Sequence, residues 1–131
     1  MEKVNIFWFR RDLRLDDNAG LYHALRSGKP VVPVFIFDTN ILEQLPDKKD
    51  GRVTFIHAAL EEMQKALEKM GVTLHILHGT PAEAFHTLVS GYAIDTVFTN
   101  HDYEPYARER DAAVAEWLAS EHIAFRTFKD Q

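Results

Sequence analysis

Short apolar runs alternate with longer amphipathic segments along this chain. Five runs are rich in β-branched and aromatic residues, and they cover residues 4–9, 31–38, 72–77, 94–100 and 123–128. Runs of this length and composition, bounded by polar or glycine-containing stretches, predict β-strands. Strands that alternate with helices predict a parallel sheet covered by helices on both faces. The expected fold class is therefore α/β.

The first two predicted helices have recognisable ends. Asn18 is a favourable N-cap for a short helix that runs through Leu21 and Leu25 and stops at Gly28. The second helix shows the clearest pattern, because its apolar residues recur at spacings of three and four, and Gly71 follows as a C-terminal cap. These apolar residues are Val53, Ile56, Leu60, Met63, Leu67 and Met70.

Two more helices are predicted in the second half of the chain. "TPAE" at 80–83 combines a capping box with proline at the first helical position. The last helix spans about 104–121, and four of its residues are expected to face inward: Ala113, Val114, Trp117 and Leu118. Trp8 and Trp117 both lie in apolar segments and are predicted to belong to the core. Pro33 fits the second strand only if it precedes regular pairing, because proline donates no ladder hydrogen bond.

Composition excludes several kinds of site. The 131 residues suffice for one domain with a core, and the chain has no cysteine, which excludes disulfides and thiolate chemistry. A net charge of −5 argues against broad, unaided nucleic-acid binding, although it leaves room for a local basic patch. Without a signal peptide or a long apolar segment, we expect a cytoplasmic protein with no membrane contact.

The seven histidines do not suggest a metal site. His75 and His78 are three residues apart on a predicted strand, so their side chains should point to opposite faces of the sheet. No histidine spacing suits zinc. His57 and His86 lie on predicted helices, where we expect surface or boundary positions.

Ligands of an open parallel sheet bind at the carboxyl ends of its strands. The segment after the first strand lacks both glycine-rich phosphate-binding patterns, which disfavours a dinucleotide dehydrogenase or a P-loop enzyme. Arg10 and Arg11 can hold an anionic ligand there, or the loop's arginines can pair with its aspartates and only organise the loop. Asp38 and Asp102 follow strand ends. They can accept hydrogen bonds from a ligand, or they can cap the following helices.

Two long motifs resemble those of the photolyase/cryptochrome family. They are "WFRRDLRLDDNAGL" at 8–21 and "NHDYEPYARERDAAV" at 100–114, and "VPVFIFD" at 32–38 also fits. The resemblance runs in order along essentially the whole chain. It implies a Rossmann-like N-terminal α/β domain with strand order 3-2-1-4-5.

The resemblance also implies a function. Family members have an N-terminal domain that holds an optional antenna pigment and a larger helical C-terminal domain that binds FAD and damaged DNA. The excited, reduced flavin passes an electron to a cyclobutane pyrimidine dimer, which splits. Residues 1–131 would be the N-terminal domain of a longer chain. We expect it to be monomeric and not catalytic by itself, with its own C-terminal domain as partner and with DNA bound only through the full-length protein.

The resemblance points to an antenna cleft between the first and fourth strands. The implied pigment-binding residues are Arg10, Arg11, Asp38, Arg52, Asn100, Asp102 and Ala107. Folate-binding members carry an Asn-Glu pair where this chain has Tyr106 and Ala107. That difference favours 8-hydroxy-5-deazaflavin or a flavin nucleotide over methenyltetrahydrofolate, and the small Ala107 leaves room for a flat ring. Some members bind no antenna.

Two other functions remain open from the sequence. The same domain occurs in cryptochromes, which are blue-light photoreceptors. The alternating architecture alone also fits a free-standing nucleotide-binding domain of the electron-transfer-flavoprotein or stress-protein kind.

Overall fold

The fold is seen in a computed structural model. It describes residues 2–10, 15, 18–38, 51–101 and 105–129, and it describes only the backbone of residues 38, 51–56, 105 and 106. The elements within these residues are β1 (Val4–Phe9), α1 (Ala19–Leu25), β2 (Val31–Asp38), α2 (Gly51–Lys69), β3 (His75–Gly79), α3 (Pro81–Gly91), β4 (Ile94–Asn100), α4 (Pro105–Ser120) and β5 (Ala124–Phe128).

The five strands form one parallel sheet in the order β3-β2-β1-β4-β5. The predicted fold class and strand order are therefore confirmed. The bounds of β1, β2 and β4 agree with the sequence prediction.

Side chains of the central strand alternate between two hydrophobic clusters. Ile6 and Trp8 point to the face covered by α3 and α4, whereas Phe7 and Phe9 point to the face covered by α1 and α2. All four are essentially inaccessible to solvent. Two-sided burial explains why β1 reads as an apolar run with little polar alternation.

Pro33 lies inside β2 at a place where it removes no ladder bond. Asn5 N donates to Pro30 O at 2.8 Å, so the even-numbered residues of β2 turn their backbone groups toward β1. Because these groups alternate along a strand, Pro33 turns toward β3. Pairing with β3 begins only at Val34. The expectation that proline precedes regular pairing is thus confirmed on the β3 side and wrong on the β1 side, where pairing already begins at Val31.

The third strand starts later than predicted. We expected residues 72–77, but β3 spans His75–Gly79. Val72 N donates to Leu67 O at 3.0 Å and Gly71 N donates to Glu68 O at 3.0 Å, which completes the end of α2 around Gly71. Since the amide of Val72 belongs to the helix end, the ladder cannot begin there.

Several smaller predictions were wrong. Met70 is 62% exposed because it follows the last residue of α2, and Ala113 is exposed on α4 at the surface that faces α3. The helix α1 ends at Leu25, three residues before Gly28. Trp8 is in the core as predicted, and Trp117 is half-buried against the same cluster.

The predicted positions of four histidines agree with the structure. His75 lies 3.1 Å from the hydroxyl of Tyr92, on the α3 side of the sheet, whereas His78 stacks on Phe37 on the α2 side. His57 and His86 are exposed on their helices.

Candidate functional site

The sheet has one topological switch point. From β1 the chain proceeds outward through β2 to β3, and then it returns to β4 on the other side of β1 and proceeds to β5. The carboxyl ends of β1 and β4 therefore flank the crevice where such sheets bind ligands.

Arg10 lies directly after β1 at this crevice. Its Nη1 donates to Asp111 Oδ1 at 2.5 Å, and its Nη2 donates to the backbone oxygen of Asn100. Its guanidinium carbon is 4.9 Å from the centre of the Trp8 ring, and the residue is 9% exposed. One side chain thus ties together the ends of β1 and β4 and the helix α4.

Asp111 serves two arginines. Besides Arg10, it accepts from Arg110 Nε at 3.3 Å, and its side chain is only 17% exposed. The guanidinium carbon of Arg110 is 5.2 Å from the Trp8 ring. Two cations therefore share one carboxylate and one indole, and the carboxylate compensates the charge that Arg10 brings into a buried position.

Asn100, the last residue of β4, attaches the start of α1 to the sheet. Its Oδ1 accepts from Gly20 N at 2.7 Å, and its Nδ2 donates to Asn18 Oδ1 at 2.7 Å. Asn18 is the N-cap of α1, where the same Oδ1 accepts from Leu21 N at 3.1 Å. The predicted cap is confirmed, and Asn100 supports it from the neighbouring strand.

Gly20 is required by the closeness of α1 to β4. A Cβ atom at this position would lie 2.7 Å from Asn100 Oδ1 and 2.8 Å from Phe7 Cε1. The amides of Gly20 and Leu21 are bonded to asparagine side chains, and Tyr22 N donates to Asn18 O. These three amides at the start of α1 are thus satisfied by the protein itself and do not form a phosphate cradle.

The backbone places five of the seven predicted pigment-binding residues at the carboxyl edge. Arg10 follows β1, Asp38 ends β2, Asn100 ends β4, Arg52 is the second residue of α2 and Ala107 is the third residue of α4. Arg11 and Asp102 lie outside the described residues, and the side chains of Asp38 and Arg52 are not described. Arg14, Asp16 and Asp17, which belong to the charged loop after β1, also lie outside the described residues.

The three predicted residues with described side chains are all buried. Arg10 and Asn100 contact each other, and Ala107 is 2% exposed in the first turn of α4. Arg10 and Asn100 both form hydrogen bonds to protein groups, so these two residues shape the floor of the crevice. Whether any of the seven binds a pigment stays a prediction.

Sequence reasoning missed Asp111 as the partner of Arg10. A signal for it exists, because Asp111 follows Ala107 by four residues and precedes Val114 by three, and both of those are buried. A carboxylate on the inner stripe of an amphipathic helix implies a buried cation opposite it. The close approach at Gly20 was likewise not predicted from the sequence.

A groove of about 290 Å³ lies between α3 and α4, beside this cluster. It is mostly apolar, and Phe85, which lines it, meets the edge of Trp8 with ring centroids 5.2 Å apart. The polar lining residues are Thr80, Glu109 and Arg110. Arg110 thus links the groove to the crevice.

The described residues hold no group of three or more histidine, aspartate or glutamate side chains that could bind a metal ion. Among the helices in the described ranges, none combines the length and apolarity needed to cross a bilayer.

Comparison with known proteins decides the family. The family model described as DNA photolyase matches residues 5–131. The chain belongs to the DNA photolyase family. A Synechococcus sp. deoxyribodipyrimidine photo-lyase is 36% identical over 126 residues, which cover 96% of this chain and 26% of that protein. Cryptochrome-1 of Gallus gallus is 34% identical over 88% of this chain and 18% of its own length.

A solved family member also shares the fold. The crystal structure of an archaeal photolyase from Sulfolobus tokodaii, described as holding two FAD molecules and implying a novel light-harvesting cofactor, superposes with a TM-score of 0.87. It is 34% identical, and the match covers 95% of this chain and 29% of that one. The chain thus spans about a quarter of the length of these two photolyases.

Proposed function

We propose that this chain is the antenna-chromophore domain of a deoxyribodipyrimidine photolyase, which repairs cyclobutane pyrimidine dimers in DNA with blue or near-ultraviolet light. The observation that carries the proposal is the family match over residues 5–131, together with relatives about four times as long. The parent protein would supply the helical C-terminal domain that binds FAD and damaged DNA. The 131 residues alone would hold the pigment site and repair nothing.

The proposed pigment site is the carboxyl edge of the sheet. The chemistry of the side chains there suits a flat, polar ring system. Carboxylates such as Asp38 and Asp102 accept hydrogen bonds from a ring N–H or a ribityl hydroxyl, and Arg11 and Arg52 offer cations to an anionic group. Arg10 and Asn100 contribute by fixing the ends of β1 and β4.

The pigment class that fits best is 8-hydroxy-5-deazaflavin or a flavin nucleotide. Tyr106 and Ala107 stand where folate-binding members have an Asn-Glu pair. The Sulfolobus tokodaii photolyase, described as holding two FAD molecules, favours a flavin as the second chromophore. When bound, the pigment would absorb light and pass excitation energy to FAD.

Repair activity tests the proposal. The gene should continue beyond residue 131 into a helical FAD-binding domain, and the full-length protein should split cyclobutane dimers in an oligonucleotide under blue light and not in the dark. If the gene encodes no such domain, the proposal fails. Light-dependent repair would also exclude a pure photoreceptor.

The pigment site has a separate test. In the full-length protein, Asp102→Asn should weaken retention of the antenna pigment about tenfold, because a charged hydrogen-bond acceptor is lost. Asp95→Asn is the matched control, since Asp95 lies at the opposite end of β4 and pairs with Lys29 at 3.8 Å. The visible spectrum measures the pigment. Equal retention in both variants would contradict this role for Asp102.

A cryptochrome is the second candidate, favoured by the 34% identity to the Gallus gallus protein. Its prediction differs in one result: the full-length protein would bind FAD but would leave dimers intact under light. A free-standing nucleotide-binding domain has no comparable support. Tight binding of ATP or AMP by the 131-residue chain would favour it.

A further inference from the structure

On the α1 side of the sheet, three rings and two guanidinium groups form a continuous series at the surface. Tyr22, His23 and Arg26 come from α1 and its C-terminal end, and Arg126 and Phe128 come from β5. We call these five residues the aromatic–cation surface. They are distinct from the carboxyl-edge residues assigned to the pigment.

Ring contacts, a cation–π contact and a hydrogen bond connect the series. His23 stacks on Phe128, with ring centroids 4.3 Å apart and planes 10° apart, and it meets Tyr22 edge-on at 5.5 Å. The guanidinium carbon of Arg126 lies 5.4 Å from the Phe128 ring. At the other end, Arg26 Nη1 donates to the Tyr22 hydroxyl at 2.9 Å. The contacts hold these side chains in a fixed order before any partner arrives.

This surface is open to solvent. Tyr22 is 55% exposed and its neighbour Leu25 is 64% exposed, and together they are two of the three large hydrophobic residues that the described part of the chain leaves exposed. His23, Arg26 and Arg126 are also exposed. Exposed rings beside fixed cations are typical of a recognition surface.

The charge here is opposite to that of the chain. Segments 18–30 and 122–129 contain four basic residues and neither aspartate nor glutamate, whereas the whole chain has a net charge of −5. The basic residues are Arg26, Lys29, Arg126 and Lys129. Lys29 Nζ lies 3.8 Å from Asp95 Oδ2, so its charge is partly compensated. Arg26, Arg126 and Lys129 are then the main positive charges of these segments. The five residues of the aromatic–cation surface itself therefore include two arginines and no carboxylate, whereas Asp17, Glu121 and Asp130 directly adjoin the two segments.

We propose that the aromatic–cation surface binds a single strand of nucleic acid. A nucleotide chain combines the two features that the surface complements, because its phosphates match Arg26, Arg126 and Lys129 and its bases present flat faces to Tyr22. Single-stranded bases can stack on an exposed ring, whereas bases inside a duplex cannot. An acidic protein segment would match the charges but would leave the Tyr22 ring without a stacking partner.

The inference goes beyond antenna binding and does not depend on it. It changes one expectation from the sequence, because it gives this domain a contact of its own with nucleic acid. A chain that retains no pigment can still bind a single strand of nucleic acid, and a chain that holds a pigment can fail to bind one.

The test measures binding of the 131-residue chain to a fluorescent oligothymidine strand by anisotropy at several salt concentrations. For single strands, log K falls by about 0.7 per log unit of salt for each phosphate that is neutralised. The double variant Arg26→Gln, Arg126→Gln should therefore reduce the slope by about 1.4. Arg108→Gln with Lys65→Gln removes two exposed charges from α4 and α2 and should leave binding unchanged.

Stacking is tested separately from charge. Tyr22→Ala should weaken binding about tenfold, whereas Tyr22→Phe, which keeps the ring, should stay within about twofold. Far-ultraviolet circular dichroism checks that each exposed substitution leaves the fold intact. Polyglutamate, added at the same concentration of negative charges as the oligothymidine, should displace the oligothymidine poorly.

Three results would overturn the proposal. The first is no binding of the oligonucleotide at low salt. The second is equal weakening by the two double variants, which would indicate nonspecific charge effects. The third is full competition by polyglutamate together with no effect of Tyr22→Ala, which would indicate a surface for acidic protein segments.

Discussion

Arg10 and Asn100 show how far single residues could be understood from sequence. Both were recognised as residues at the strand ends, and both lie at the switch-point crevice. Their hydrogen-bond partners, however, include Asp111, Asn18 and Gly20, which are 80 to 101 residues away along the chain. Sequence separation of this size hides a contact unless the sheet order and helix faces are already known.

Gly20→Ala should lower the free energy of unfolding by about 1–3 kcal/mol, because its Cβ would collide with Asn100 Oδ1 and Phe7 Cε1. Gly91→Ala is the matched control. Gly91 is also a helical glycine, but a Cβ there would meet nothing within 4 Å. Alanine is the better helix former, so Gly91→Ala should leave stability unchanged or raise it by up to about 1 kcal/mol. Urea denaturation measures both, and equal effects would contradict the close approach at Gly20.

Asn100→Asp should lower the free energy of unfolding by about 3 kcal/mol near neutral pH. The carboxylate would face Asn18 Oδ1, which cannot turn away because it accepts from Leu21 N. Burial raises the pKa of an introduced carboxyl, and its protonated form can donate to Asn18. The loss of unfolding free energy relative to wild type should therefore become smaller as pH falls. Urea denaturation of both proteins across acidic pH checks this, and a loss that grows relative to wild type on acidification would contradict it.

At the scale of elements, the strands were predicted better than the helix ends. The bounds of β1, β2 and β4 follow from apolar runs that are buried on both faces. β3 was placed too early because Val72, although β-branched, donates its amide to Leu67 O at the end of α2. Backbone bonds at a helix end depend on local turn geometry, which an apolar run does not reveal.

Thr80→Ala should lower the free energy of unfolding by about 1 kcal/mol, because it removes the side-chain half of a capping box. Thr80 Oγ1 accepts from Glu83 N at 3.2 Å, and Glu83 Oε1 accepts from Thr80 N at 3.2 Å. Thr80→Ser keeps the hydroxyl and should remain close to wild type. Thermal unfolding compares the two, and a serine variant as unstable as the alanine variant would contradict a capping role.

His122→Gly should raise the free energy of unfolding by about 0.5–1 kcal/mol. His122 is exposed and has a φ of 62° after α4, a conformation that favours glycine, and Ile123 N donates to Leu118 O there as Val72 N donates to Leu67 O after α2. Gly71 already fills the corresponding position of α2 with a φ of 78°. Chemical denaturation gives the answer, and a loss of stability would mean that the imidazole makes a contact worth more than the strain.

For the whole molecule, the sequence predicted the sheet, its strand order and the family, and all three are confirmed. The pigment site was harder to predict from the sequence than the fold. Its proposed contacts fall partly on Arg11 and Asp102, outside the described residues, and the photolyase relative is about four times as long as this chain. A pocket completed by a second domain binds weakly without it. We therefore expect the 131-residue chain to retain little or no pigment after purification.

The action spectrum of dimer repair by the full-length protein tests the central claim most directly. Repair rate per incident photon is measured across the near-ultraviolet and blue for the purified protein with its native pigments. We predict light-dependent repair with a band additional to those of reduced FAD, at the wavelengths where the antenna pigment absorbs. Absence of repair in the light, or an action spectrum that coincides with that of reduced FAD alone, would contradict an antenna domain of a photolyase.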